Sequence, residues 1–475
     1  MSVAHQILAG SIKDVVGKVT TLIENNEELT EENEALRGRV EELEKENGTL
    51  RHDLDKWKRG FRERRKRRTS RSERKVEGPR RKPGRKPGHV GARRPIPERI
   101  DDEVHHACPE RCTCGGNVVS TTETRSTIVQ DIPPIEVHNT RHTAAVGVCK
   151  ACKKKVWAPL PGDVEAGRSI AEVQIGPNLQ AMAVGLRYDQ KTSLGNIAGF
   201  FGEWFGVSIT RGGVSQIVLR LGEASEPAHK EIQSTVRASY VVGLDETGLR
   251  QDGALGWCWV ARTERASFFQ VSSSRGSEVF EEILGEGFIG VVVSDFYGVY
   301  TARDDLMHGY CGAHVIREAK KLAELQPCPE TIEFRDRVQA FYAFGAEAQK
   351  SGDVLKRRGA RIRLGHLISS TDFVAFPDIV RLQERLDIHW DGVTRFLDDE
   401  RVPWNNNGSE RDVRDIARFR VITGGTRSPR GSRGLGIWMS IKQTRRKNGL
   451  PFGSFVHRVY IGRIQGTGPP SVFSP

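Results

Sequence analysis

Leucines recur every seven residues near the start of the chain, at Leu22, Leu29, Leu36, Leu43 and Leu50, with Val15 before them and Trp57 after them in the same register. A strict seven-residue apolar repeat is the d-position seam of a coiled coil. The a positions then fall at Val19, Asn26, Asn33, Val40, Asn47 and Leu54, and Glu or Lys fill much of the remainder. Asn at a positions costs stability but favours a parallel, in-register pair. Residues 1–58 are therefore expected to dimerise, with a second copy or with a chain bearing a similar coil; the alternative is a lone amphipathic helix packed on its own protein.

From Val173 to about Ala238 the pattern turns helical, in IGPNLQAMAVGLRY, SLGNIAGFFGEWFG and VSITRGGVSQIVLRLGEAS. A break at Gly206 and a restart with Thr210 as N-cap make residues 170–238 a small helical domain ending in a helix-turn-helix-like pair. From Tyr240 the pattern becomes strand-rich. YVVGLD, GWCWVAR and ASFFQVS read as three strands, SEVFEEIL as a helix, IGVVVSD as a fourth strand, VYTARDDL as a short helix and HGYCG as a fifth strand. That order, β-β-β-α-β-α-β-α, is the ribonuclease-H-like arrangement, an α/β core in which strands one and four lie side by side.

Charge locates the partner. The chain has 475 residues and a formal net charge of +12, and basic residues crowd between Lys56 and Arg94 against only Glu63, Glu73 and Glu77. Such a block is typical of a nucleic-acid arm. Within it, Arg81-Lys82-Pro83-Gly84-Arg85-Lys86-Pro87-Gly88 repeats a four-residue unit that Pro and Gly keep extended, suited to a narrow minor groove. Residues 59–99 are read as a disordered arm that orders on DNA. The block follows the coil, whereas a leucine-zipper regulator carries it before the zipper. No run of about 18 apolar residues marks a membrane span, and the N-terminus lacks a basic start followed by an apolar core; a cytoplasmic, nucleoid-associated protein is expected.

Five of the eight cysteines fall in one module, residues 100–165: Cys108, Cys112 and Cys114, then Cys149 and Cys152. A Cys-x2-Cys after strand-like sequence (TRSTIVQDI, IEVHNTRHTAAVGV) resembles a zinc ribbon, whose two knuckles supply two thiolates each. Cys114, followed by Gly115 and Gly116, is the surest member of the first knuckle; Cys108 or Cys112 completes it, so four of the five would bind structural zinc.

Asp245 and Asp295 each end a run of apolar, β-branched residues, in VVGLDETG and VVVSDFYG. Adjacent parallel strands would bring them together, and two carboxylates that close stay ionised only if cations neutralise them. Many acids downstream could be the third member: Asp304, Asp305, Asp391, Asp398, Asp399 and Glu400 among them. Glu410 stands out because its helix also carries Arg411 and Arg414, a carboxylate for metal beside guanidinium groups for phosphate. Such a trio can hold two magnesium or manganese ions about 3.5–4 Å apart for attack on a phosphodiester.

These motifs resemble those of the insertion-sequence 66 family of DDE transposases. The likeness rests on Leu244-Asp245-Glu246-Thr247, Ser294-Asp295-Phe296-Tyr297, Cys311-Gly312-Ala313-His314-Val315-Ile316-Arg317 and Asn406-Asn407-Gly408-Ser409-Glu410-Arg411, with the coil, arm, cysteine module and C-terminal sequence in the family's order. The resemblance implies that Asp245, Asp295 and Glu410 ligate the catalytic metals, that Arg411 and Arg414 clamp DNA phosphate, and that residues 239–445 form the catalytic core with a helical insertion at 313–399 and a tail at 446–475. It implies hydrolysis at a transposon end followed by attack of the 3′-hydroxyl on target DNA, with double-stranded DNA as substrate and accessory transposition proteins as possible partners. Cys311 and His314, a Cys-x2-His element, read as packing at a helix start. Asn405 stands where the family commonly has Asp, so two alternatives stay open: a catalytically inactive DNA-binding descendant, and a ribonuclease-H-like nuclease that cannot join DNA.

Overall fold

The computed structural model describes residues 37–40, 94–133, 135–166 and 173–475. The chain divides into two compact units, residues 1–129 and 130–475. Apart from one exposed helical turn at 37–40, the heptad repeat lies outside the described residues, as do Arg81, Lys82, Arg85 and Lys86 of the basic arm.

In the first unit a tight turn forms at Cys112. The Cys112 N–H donates to the Gly116 carbonyl (2.9 Å), the Gly115 N–H to the Cys112 carbonyl (2.8 Å), and Arg111 bridges to Asn117. Gly115 has φ +90°, where an L side chain is strained, so the turn depends on that glycine.

The second unit opens with a short antiparallel hairpin, β1 (Val146–Val148) and β2 (Lys155–Trp157). The strand-like alternation at 125–143 makes no strand among the described residues. Val129 and Ile132 stay exposed there, and Pro133-Pro134 interrupts the run, because proline offers no N–H to a ladder. The short helix α1 (Gly162–Ala166) follows.

Four helices then pack together: α2 (Pro177–Tyr188), α3 (Leu194–Phe205), α4 (Arg211–Ala224) and α5 (Glu226–Arg237). Ser193 caps α3 by accepting the Asn196 N–H, and Gly206 ends it at φ +64°. Thr210 caps α4 by accepting the Gly213 N–H. Buried Val214, Ile217, Val218 and Leu221 on α4 recur at helical spacing and join Ile197, Phe201 and Ile232 in the core.

A five-stranded mixed sheet follows, in the order β5-β4-β3-β6-β7, from β3 (Val241–Gln251), β4 (Ala254–Arg262), β5 (Ser267–Ser272), β6 (Val291–Ser294) and β7 (Met307–Tyr310). The β3–β4 hairpin turns on Asp252 (φ +49°) and Gly253 (φ +85°), the two left-handed positions of a tight turn that Asp-Gly suits. Helices α6 (Ser277–Leu284) and α7 (Gly298–Thr301) make the crossovers. β3 continues past Asp245 to Gln251, beyond the strand end expected from its apolar run. It runs parallel to β6 only over Val241–Gly243, and the rest of its length is held by antiparallel pairing with β4.

Side-chain alternation divides the sheet between two cores. Val242, Leu244, Val292 and Phe269 face a core shared with α2–α5. Val291, Val293 and Tyr310 face a second core built with α8 (Gly312–Leu325), α9 (Pro329–Ser351), α10 (Val354–Ser369), α11 (Pro377–Ile388) and α12 (Trp390–Asp398). Chain 312–398 is thus almost wholly helical.

The last three helices are α13 (Asn407–Thr423), α14 (Pro429–Lys447) and α15 (Phe452–Gln465). α14 is buried on all sides from Gly434 to Arg445. It lies so close to β5 that a Cβ on Gly436 would fall 2.8 Å from the Phe269 carbonyl oxygen. Its buried cations are all partnered. Lys442 Nζ meets the Asp415 carboxylate and the Tyr188 carbonyl (3.0 Å), while Arg445 donates to the carbonyls of Pro451 (3.0 Å), Val472 (3.1 Å) and Ser474 (2.7 Å). Residues 446–475, set apart in the sequence as a tail, carry the end of α14 and all of α15, and bury Phe455, Val456, Val459 and Val472 in the first core.

Candidate active site

The site is assembled where α13 docks on β3. The N-cap Asn406 is buried and bonded on both sides: its backbone N–H donates to the Cys311 Sγ (3.1 Å) and its side-chain amide to the Leu244 carbonyl (2.6 Å). Gly243 makes this approach possible, because a Cβ there would fall 2.5 Å from Asn406 Oδ1 and 2.6 Å from Ser409 Oγ. Gly408 likewise admits the Arg262 guanidinium. Along α13, Asn406, Ser409, Asp412 and Ile416 face inward while Arg411, Arg414 and Arg418 face out. Asp412 fixes the inner face through Ser267 Oγ (2.6 Å) and Arg262 (3.2 Å). Asn405 Oδ1 accepts the Asn407 N–H (3.1 Å). An Asp at this position would accept the same bond, so the departure at Asn405 leaves the turn intact. Gly243→Ala is expected to undock α13 and cost about 1–3 kcal/mol, read as a lower Tm; an unchanged Tm would refute the close packing of α13 on β3.

Docking brings Glu410, with Asp295, close enough for its charge to act on Asp245. Asp245 lies in β3, Asp295 follows β6, and Glu410 lies in the first turn of α13. Burial pushes the Asp245 carboxyl up to about 7, reinforced by the charges of Glu246, Asp295 and Glu410 and opposed by the Glu246 N–H it accepts (2.9 Å). Asp295 Oδ1 accepts the Tyr297 N–H (3.0 Å). Glu410 is held by Arg317, with Nη1 at 3.4 Å, and by Arg414 at 3.5 Å, while His314 Nδ1 stands 3.8 Å away.

An Asp whose folded-state value is raised contributes stability below its ordinary value near 4, and that contribution is lost as pH rises through about 7. In metal-free protein, Asp245→Asn is therefore expected to be the more stable chain at pH 8 and to lose that advantage by pH 4. Melting curves at the two pH values check the sign; a constant difference would contradict it.

Sequence reasoning missed a second layer. Glu246 is buried and accepts from Arg275 (Nε 2.9 Å, Nη2 2.5 Å) and from the Tyr300 hydroxyl (2.5 Å). Arg275 in turn stacks on Tyr297 (3.8 Å) and Trp257 (4.5 Å). This network fixes the backbone on both sides of the Asp245–Asp295 pair. The acid beside Asp245 was visible in the sequence; Arg275 carried no signal there.

The cysteines form two separate turns. In the first unit, Cys112 is held below the usual thiol range by the Cys114 backbone N–H and thiol, so Cys112 rather than Cys108 shares the turn with Cys114. In the second unit Cys149 accepts the Lys153 N–H on its carbonyl (2.9 Å), and the Cys152 backbone and thiol lower its value in the same way. Cys149 and Cys152 have the two-residue spacing of a zinc knuckle, whereas Cys112 and Cys114 are separated by a single residue. Among the described residues no helix is long and apolar enough to cross a membrane.

The family model described as "Transposase IS66 family" matches residues 172–434, from just before α2 through the site to the start of α14. The chain belongs to the IS66 transposase family. The match takes in Asp245, Asp295 and Glu410 and the helical segment between the second and third of these. It is also similar to an uncharacterized protein, y4jO, of Sinorhizobium fredii (strain NBRC 101917 / NGR234), 24% identical over 211 residues that cover 41% of this chain and 64% of that protein. An IS66 transposase-family core of mixed helix and sheet is thus established over residues 172–434.

Proposed function

We propose that this chain is a DDE-type DNA transposase whose sheet and flanking helices form a ribonuclease-H-like core at 239–445, with the insertion at 313–399. The observation that carries the reading is the parallel β3–β6 pairing, with Asp245 on β3 and Asp295 directly after the end of β6, together with α13 docked on β3 so that the charge of Glu410 reaches Asp245. The residues fit magnesium or manganese: the donors are all carboxylate oxygens, and an Asp raised to about 7 by burial and its acidic neighbours is a position a divalent cation would relieve. When bound by these three acids, two such ions supply charge neutralisation at the phosphodiester oxygens. Glu246, with Arg275 and Tyr300, keeps β3 and the loop after β6 in register. Asn406 holds Glu410 over the strand pair, and the outward Arg411 and Arg414 supply cations for DNA phosphate.

The remaining parts supply the substrate's handles. The coil at 1–58 pairs two copies, the arm at 59–99 lies along DNA, and the module at 100–165 binds zinc through four of its five cysteines, Cys108, Cys112, Cys114, Cys149 and Cys152. The domain at 170–238 presents its helix-turn-helix-like pair to double-stranded DNA, and residues 446–475 close the core. Incubated in Mg2+ with DNA bearing its element's ends, the purified chain should release 3′-hydroxyl ends, and chelation should stop it. Tight, salt-sensitive binding without cleavage would instead favour a DNA-binding descendant.

A further inference from the structure

We propose that Cys311, His314 and Glu410 form a site for a borderline-soft divalent ion of the zinc class, distinct from the oxygen donors of Asp245 and Asp295. Cys311 is the N-cap of α8 and His314 stands three residues on, so both present to the same face. Glu410 comes from the first turn of α13, which Asn406 ties to the Cys311 Sγ. One ligand atom from each of the three lies within 4.8 Å of the others. Bonds of about 2.0–2.3 Å to a tetrahedral ion place ligand atoms roughly 3.3–3.7 Å apart, a closure that small side-chain rotations provide.

A second observation points to a ligand. His314 Nδ1 is buried with no hydrogen-bond partner, 3.8 Å from Glu410 Oε1, and a buried nitrogen left unsatisfied is costly unless something occupies it. A thiolate, an imidazole and a carboxylate together suit zinc or cobalt and not magnesium. Three protein ligands leave a fourth position open, on the side where His314 and Glu410 are partly exposed. Arg317 and Arg414 neutralise Glu410 while the ion is absent, and the ion would replace them on the same carboxylate. One consequence rests on the function proposed above: Glu410 cannot serve both sites, so a zinc-class ion would idle phosphoryl transfer without competing for the aspartates.

The full-length chain loaded with cadmium-113 in excess Mg2+ tests this by NMR. The expected spectrum has a one-thiolate resonance well upfield of any four-cysteine signal, lost in His314→Ala and in Cys311→Ala while the four-cysteine signal stays. Identical spectra for wild type and His314→Ala would overturn the proposal. His314 is partly exposed, so its variant decides the matter even where Cys311→Ala fails to fold. The spectrum requires no cleavage activity, so its failure is separate from failure of the transposase reading.

Discussion

Asp245→Asn is expected to lower cleavage of element-end DNA by more than about 100-fold, because it removes an ionisable oxygen donor from the metal site proposed above, while DNA retention on a gel stays at the wild-type level. The two readouts separate because the cations assigned to DNA are elsewhere: Arg411 and Arg414 stand on the outer face of α13. Asparagine fits the same space and keeps an oxygen to accept the Glu246 N–H, so the fold should survive. A variant that cuts as fast as wild type would remove Asp245 from the chemistry. A variant that neither cuts nor binds would show that the residue supports the fold and not the reaction.

The largest expected loss of stability comes from Asp415→Ala. The Asp415 carboxylate is buried between Lys442, whose side chain is 1% exposed, and Lys191 at 2.7 Å, and it accepts the Gln443 amide at 2.8 Å. Removing one partner of a buried pair strands the other charge, at a cost of about 3–5 kcal/mol. Here the stranded ammonium keeps only the Tyr188 carbonyl. Thermal unfolding followed by circular dichroism should show Tm lower by roughly 6–20 °C, at about 2–4 °C per kcal/mol for a domain of this size. Pairing Asp415→Leu with Lys442→Met should restore most of the loss, since an apolar replacement of a buried ion pair is often neutral. A loss below about 1 kcal/mol for Asp415→Ala would show that water reaches the pair.

The contrast between what the sequence displayed and what it hid has a physical basis. The neighbourhood of Asp245 and Asp295 was legible because continuous β-branched runs at 241–244 and 291–294 mark buried strands, and the order of strands and helices determines which of them pair in parallel. Glu410 was singled out by Asn406 and Arg411 around it, and the structure supplies the reason for the asparagine: it bonds the strand that carries Asp245. Four features were not legible. β3 extends through polar Glu246, Thr247 and Gly248 because β4 pairs with it, a tertiary cause that period alone does not reveal. Arg275 reaches Glu246 across 29 residues of sequence through the hairpin and the β5–α6 connection. Cys311 and His314 looked like packing residues because their partner, Glu410, arrives from 93 residues beyond Arg317 on another helix. Burial of Arg445 under the C-terminal carbonyls was equally silent, since a basic run ending a helix ordinarily reads as solvated surface.

The most direct test of the central claim is a strand-transfer assay with the full-length chain, Mg2+, a target plasmid and an element-end duplex labelled at its 3′-hydroxyl strand. The predicted result is label joined covalently to target DNA by wild type, and none by Asp245→Asn, Asp295→Asn or Glu410→Gln. Cut ends that are never joined, or joined product in equal yield from wild type and Asp245→Asn, would contradict it.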